Sequence, residues 1–267
     1  MPLSLLFLVA IIQGITEFLP VSSSGHLALI PLLTDQPYQG RVIDVAAHVG
    51  TFFAVAFYLR VDLMQMIIGV ITAGRRRVDD MHRALLLVIA TIPAIIAGFI
   101  INKIDPAWLL TLETLAIANL VFAMLLWLAD RFGASLKDIA DIRLKQALII
   151  GFVQISALIP GASRSGVTMT AARFLGFDRL SAARFSLLLS LPVIAGAGTL
   201  KTFDMIKTGD LALGMDALIV AILSCLFALI AIRVMMNWLA RANFTIFVGY
   251  RLALGALLLL ALQMGWL

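Results

Sequence analysis

Residues 13–26 read QGITEFLPVSSSGH, and they interrupt an apolar run that extends over 3–33. The interruption carries a carboxamide (Gln13), a carboxylate (Glu17), three consecutive hydroxyls (Ser22, Ser23, Ser24) and an imidazole (His26). In hydrocarbon each polar group without a partner costs several kcal/mol, so ionisable residues inside apolar segments mark sites of use. Pro20 ends a helix begun near Leu3, because it lacks an N–H and clashes with the preceding turn. The hydroxyl-rich run 21–25 then forms a loop before His26 opens a return helix. A second interruption, PGASRSGVT at 160–168, lies in the apolar region 147–176 and adds a guanidinium, Arg164. Apolar segments broken in this way indicate re-entrant helix-loop-helix hairpins.

The surrounding composition sets the solvent. The 267 residues are 62% hydrophobic and 13% charged, with mean hydropathy +1.07. Soluble domains are about 45–50% apolar and about 25% charged. The chain is therefore an all-α polytopic membrane protein in contact with membrane lipids. Six stretches, 42–59, 84–101, 108–128, 185–200, 211–232 and 244–267, approach or reach the roughly 17–25 residues a spanning helix needs. The fourth is short as bounded and has room to begin near Ala182. The net charge of +5 lies mostly in short loops between spans. It is a topology signal and excludes a basic nucleic-acid-binding face. Cys225 stands alone, so no intramolecular disulfide forms.

Lys and Arg fix the orientation. With the 60–83 loop inside, and each broken region returning to its own side, fourteen basic residues face the cytoplasm and four face outward. The first broken region then opens from outside and the second from inside, each followed by three spans. The chain reads as one integral-membrane domain, 1–267. Two inverted halves, 1–128 and 147–267, are joined by a cytoplasmic loop, 129–146. Internal similarity agrees: 13–25 and 154–166 both run from Gln to Gly with a proline and serines between, and LLLVIATIPAIIAG (85–98) echoes FSLLLSLPVIAG (185–196).

Chemistry concentrates in the two interruptions. Gln13 and Glu17 lie four apart and share a helical face. Glu17 is suited to hold a divalent cation or move a proton, with Gln13 as a neutral oxygen ligand. A hydroxyl of the serine run is a candidate nucleophile that His26 positions or activates, and spacing does not say which serine reacts. In the second cluster Arg164 offers a fork of donors that matches phosphate oxygens and keeps its charge. Ser163, Ser165 and Thr168 add neutral donors, and the glycine-rich turn at Gly161 lets backbone N–H groups approach the same anion. Asp44 and His48, four apart, are either partners of the site or a self-satisfied helical pair. Glu113, Asp216 and Arg251 read as structural or interfacial, and Arg75, Arg76 and Arg77 as a topology signal facing anionic lipid.

These residues resemble the bacterial undecaprenyl-diphosphatase family, the membrane phosphatases associated with bacitracin resistance. The resemblance spans the chain and rests on two motifs in order. The first is Gln13, Glu17, Ser22, Ser23, Gly25 and His26. The second is Pro160, Gly161, Ser163, Arg164, Ser165 and Thr168. It implies hydrolysis of undecaprenyl diphosphate, a polyprenyl diphosphate lipid, to the monophosphate carrier of cell-wall synthesis. It also implies a divalent cation (Mg2+ or Ca2+), a bacterial plasma-membrane location and an active site open to the extracytoplasmic face. Roles carried over are Glu17 for metal or acid–base work, Ser23 as nucleophile and His26 beside it. Ser22, Gly25, Gly161, Ser163, Arg164, Ser165 and Thr168 surround the diphosphate. Many members have Glu where this chain has Gln13, so Glu17 carries most of the charge of any cation site here. The resemblance assigns no oligomeric state.

The same inverted repeat also suits a lipid or small-molecule transporter. Lipid phosphatases of the acid-phosphatase type need a histidine downstream of the Ser-Arg pair. His26, His48 and His82 all precede Arg164, which sets that class aside.

Overall fold

The computed structural model describes residues 2–34, 38–104, 106–208 and 214–266. Among these the chain is all-helical, and its one isolated bridge, Lys137 to Phe177, belongs to no strand. The helices are α1 (Leu3–Thr16), α2 (Ser23–Thr34), α3 (Arg41–Tyr58), α4 (Arg60–Ile71), α5 (Val78–Ile104), α6 (Leu112–Phe132), α7 (Leu144–Val153), α8 (Arg164–Phe174), α9 (Arg179–Thr208), α10 (Met215–Leu239) and α11 (Thr245–Gln263). Six of them, α3, α5, α6, α9, α10 and α11, are long and apolar enough to cross a membrane. They coincide with the six stretches read from the sequence. Residues 211–213, the expected start of the fifth, and Leu267 lie outside the described residues.

Large side chains such as Phe53, Phe57, Val88, Ile96, Leu226, Ile230 and Leu257 point outward. A soluble protein would not leave such a belt in water, and lipid is its solvent. Helix α9 is central: 61% of its span is buried, against 22% of the α5 span. It packs on α3, α5 and α8, while α10 packs on α3 and α1, and α11 on α6. The α3–α10 contact is close because of Gly50, where a Cβ would lie 2.1 Å from the Ala221 carbonyl oxygen. Small residues at such crossings let helix backbones approach in lipid, where packing rather than hydrophobicity drives association.

Three expectations need correction. The inside segment 60–83 is not a plain loop, since Arg60–Ile71 is an apolar helix packed on α5. The junction 129–146 is shorter than read, because α6 runs on to Phe132 and α7 starts at Leu144. The fourth span begins at Arg179, three residues before Ala182. The echo between 85–98 and 185–196 falls on α5 and α9, the second long helix of one half and the first of the other. These elements hold different places in the chain order. Each has a mid-helix proline, Pro93 or Pro192, and the two helices pack together.

Candidate active site

The two polar interruptions form the same local structure. Ser22 (φ 73°) and Ser163 (φ 69°) both occupy the left-handed region, which costs a non-glycine residue about 1 kcal/mol or more. Each hydroxyl accepts a hydrogen bond from the N–H three residues on: Gly25 N to Ser22 Oγ at 3.3 Å, and Gly166 N to Ser163 Oγ at 3.2 Å. These capping bonds start α2 at Ser23 and α8 at Arg164. The return helix therefore begins three residues earlier than its expected start at His26. Ser23 and Arg164 are the first residues of two helices whose positive ends suit anionic oxygens.

The tips of the two interruptions touch. Ser165 Oγ donates to the Leu19 carbonyl at 2.8 Å, and Arg164 Nη2 donates to Glu17 Oε1 at 3.0 Å. Behind them Arg251, fully buried on α11, donates to Gly161 O (2.8 Å), Ala162 O (3.0 Å) and Pro20 O (3.5 Å). Asn119 Oδ1 receives Arg251 Nε at 2.8 Å. Gly161 (φ 92°) fits this junction because a Cβ there would lie 2.2 Å from Leu115 O. Gly161→Ala is expected to destabilise the protein by about 2 kcal/mol or more. Gly249→Ala, where a Cβ meets nothing within 4 Å, is expected to be neutral. Thermal melting of the two variants in detergent checks this.

Glu17 is the hub. Its Oε2 receives Gln13 Nε2 at 2.9 Å and Ser23 Oγ at 2.7 Å, and lies 3.9 Å from His48 Nε2. Of the three serines, Ser23 is the one bonded to the carboxylate. Arg164 is held in turn by the Ser186 carbonyl (Nη1, 3.3 Å) and lies over the Phe18 ring. Glu17, Ser22, Ser23, Ser24, His48, Gln154, Ser163 and Arg164 supply the polar lining of a cavity of about 280 Å³. Ala94 of α5 and Val193, Ile194, Ala197 and Gly198 of α9 are among its apolar lining. A second cavity of about 430 Å³, almost wholly apolar, shares His48, Ile194 and Gly198 with the first and runs between α3 and α9 past Phe52 and Phe53.

The remaining sequence-selected residues, Gln13, Gly25, His26, Gly161, Ser165 and Thr168, do not line this cavity. Gln13 is behind Glu17. Thr168 is buried and donates to Ser186 Oγ at 2.7 Å, which ties α8 to α9 beneath Arg164. A Cβ on Gly25 would meet Ser22 Oγ at 3.3 Å. His26 shares a hydrogen bond between Nδ1 and Ser22 O at 2.7 Å, and stacks on and bonds to Tyr250. The imidazole facing Glu17 is instead that of His48. The Asp44 side chain does not pair with it: Tyr38 and Gln39 donate to that carboxylate, while His48 Nδ1 bonds the Asp44 backbone carbonyl. Burial and the adjacent Asp44 carboxylate hold the Tyr38 phenol above its ordinary range, so it stays a donor.

Among the described residues no group of three or more His, Cys, Asp or Glu stands ready for a metal. Among the described residues Glu17 is the one carboxylate lining the cavity. Beside it, Gln13 Oε1 is buried with no hydrogen-bond partner. This donor set fits a hard cation that takes its other ligands from phosphate and water, as Mg2+ does with one or two carboxylates.

Residues 6–257 match the family described as bacitracin resistance protein BacA. The chain belongs to the BacA family. It is 46% identical over 257 residues to the undecaprenyl-diphosphatase of Ruegeria pomeroyi, covering 95% of this chain and 96% of the relative. The undecaprenyl-diphosphatase of Maricaulis maris is 46% identical over 266 residues, covering 96% and 98%. That of Alteromonas mediterranea is 43% identical over 256 residues, covering 95% and 96%. BacA similarity therefore spans both tips and Arg251, not one half of the site. Of the other polar cavity residues, His48 stood in the sequence reading as one of two alternatives, a partner of the site, and Gln154 was not singled out as a site residue. Gln154 carried one signal, its place at the head of the second repeat.

Proposed function

We propose that this chain hydrolyses undecaprenyl diphosphate to undecaprenyl phosphate and inorganic phosphate, recycling the lipid carrier of cell-wall synthesis. The observation that carries the reading is the Ser23–Glu17–Arg164 contact. It joins a hydroxyl, a base and a guanidinium from two distant motifs at a cavity that shares lining residues with an apolar groove. A lipid diphosphate has the matching shape, with its head in the cavity and its prenyl chain along α3 and α9.

The chemistry follows from these groups. Arg164 and the N-termini of α2 and α8 receive the diphosphate oxygens. Glu17 takes the Ser23 proton as Oγ attacks the terminal phosphorus. The bond from that phosphorus to the bridging oxygen breaks, and undecaprenyl phosphate leaves. Protonated Glu17 then returns its proton to Ser23 Oγ as water displaces the phosphoryl group and inorganic phosphate forms. Phosphoryl transfer needs mainly placement and charge neutralisation, which fixed donors supply. A divalent cation, Mg2+ or Ca2+, held by Glu17 and Gln13 Oε1 would neutralise charge on the phosphate oxygens. His26, bonded to Ser22 and Tyr250, positions the first tip rather than accepting the Ser23 proton.

The finer architecture belongs to the same proposal: two re-entrant hairpins, α1–α2 and α7–α8, in an inverted repeat over 1–128 and 147–267. An offset of 141 residues relates Gln13 to Gln154, Ser22 to Ser163 and Gly25 to Gly166. The two left-handed serines fall on it. Exchanging the halves also relates two of the larger helix contacts: α1 on α10 corresponds to α7 on α5, and α3 on α10 to α9 on α5. The same reading puts the protein in the bacterial plasma membrane with the cavity opening outward, and the positive-inside balance of Lys and Arg supports that orientation. A transporter is not favoured, since the named relatives are phosphatases and the site assembles a nucleophile with its base.

The test is phosphate release by purified protein in detergent from undecaprenyl or farnesyl diphosphate with Mg2+ or Ca2+ and no transmembrane gradient. We expect one phosphate per lipid, and Arg164→Ala is expected to lower turnover about 100-fold, or about 2.7 kcal/mol. No release from either lipid, or near-normal turnover by Arg164→Ala, would overturn the assignment.

A further inference from the structure

The repeat that builds the site also leaves a residue without employment. Gln154 opens the turn at Gln154–Leu158, is 1% exposed and lines the cavity. Neither its Nε2 nor its Oε1 has a hydrogen-bond partner. A carboxamide buried with both atoms unpaired is unfavourable unless something else satisfies it. Its repeat counterpart, Gln13, has a partner because Glu17 follows four residues later and accepts from Nε2. Four residues after Gln154 stands Leu158, at the position the 141-residue offset assigns to the counterpart of Glu17. The second half thus keeps the amide and drops the carboxylate that would occupy it.

We propose that Gln154 is a substrate-positioning residue whose Nε2 donates to an oxygen of the diphosphate. The inference rests on the phosphatase reading above and adds a specific donor to it. Gln154 belongs to the same broken segment as Arg164, the segment that brings the guanidinium to the cavity. The carboxylate and the free Gln13 oxygen belong to the other segment. A donor is therefore what the second segment has to offer an anion lying between them. Because neither amide atom is engaged, the carboxamide turns to the substrate without breaking an internal bond.

The experiment reads affinity apart from turnover. Farnesyl diphosphate binding is measured in detergent with full-length Ser23→Ala protein, alone and combined with Gln154→Leu, Gln154→Met or Gln154→Glu. Gln154→Leu and the shape-matched Gln154→Met are expected to weaken binding about 10-fold, or about 1.4 kcal/mol. Gln154→Glu is expected to weaken it further, because a carboxylate repels the diphosphate. Melting temperatures without ligand should stay level or rise in the apolar variants, and in the wild-type background KM should rise with kcat within about 3-fold. Unchanged affinity in Gln154→Leu and Gln154→Met overturns the proposal, as does lower melting with affinity retained. Tighter binding by Gln154→Glu at limiting Mg2+ would assign the oxygen to a cation and also overturns it. A wild-type protein that releases no phosphate while the affinity difference holds would sink the phosphatase reading and leave the subsite standing.

Discussion

Ser23→Ala is expected to lower phosphate release by more than about 1,000-fold, about 4 kcal/mol of transition-state stabilisation, with melting in detergent close to wild type. The hydroxyl contributes one bond, to Glu17 Oε2 at 2.7 Å, and removing it deletes no cap, since α2 is started by Ser22. Its neighbours provide the contrast. Ser24 lines the cavity but bonds only Ser22 Oγ, at 3.4 Å, so Ser24→Ala should cost less than about 10-fold. Ser22→Ala should lower stability by about 1 kcal/mol through the lost cap. Glu17→Gln should match Ser23→Ala in turnover, since an amide does not take the proton. It should also lower melting, because it leaves the Arg164 guanidinium without its carboxylate. A Ser24→Ala loss equal to that of Ser23→Ala would move the nucleophile along the loop.

What the sequence disclosed about the fold, and what it withheld, divides by physical cause. The six spans were legible because lipid demands long apolar runs. Helix α4 was not, since RVDLMQMIIGVI is short for a span and its arginine and aspartate resemble a loop. The hydroxyl run and Arg164 stood out because polar groups at membrane depth require a reason. The roles of His48 and Gln154 depend on which faces α3 and the Gln154–Leu158 turn present to Glu17, and local spacing carries no such information. The i,i+4 spacing of Asp44 and His48 left a helical pair and a place beside the site both open; the imidazole takes the Asp44 backbone oxygen and leaves Nε2 toward Glu17. Arg251 was read as structural or interfacial, and only the folded chain shows that it holds both tips.

That clamp carries the second large expectation. Arg251→Met is expected to lower melting by about 10 °C and to abolish most phosphate release. The guanidinium is fully buried, and its bonds end on the carbonyls of Pro20, Gly161 and Ala162 and on Asn119 Oδ1. Methionine fills much of the volume but leaves these acceptors unpaired, at about 1–3 kcal/mol each before relaxation. At roughly 2–4 °C per kcal/mol for chains of this size, even partial relaxation yields the stated shift. Turnover falls for a separate reason. Pro20 and Gly161 lie on different tips, so losing their common donor loosens the register that sets Arg164 against Glu17. Arg251→Lys should recover little, because an ammonium has one centre where the guanidinium spreads its donors over several directions. Asn119→Leu should lose part of the same interaction, and combining it with Arg251→Met should cost less than the sum of the two. Wild-type melting and turnover in Arg251→Met would mean that the tips are held by the Ser165–Leu19 and Arg164–Glu17 bonds alone.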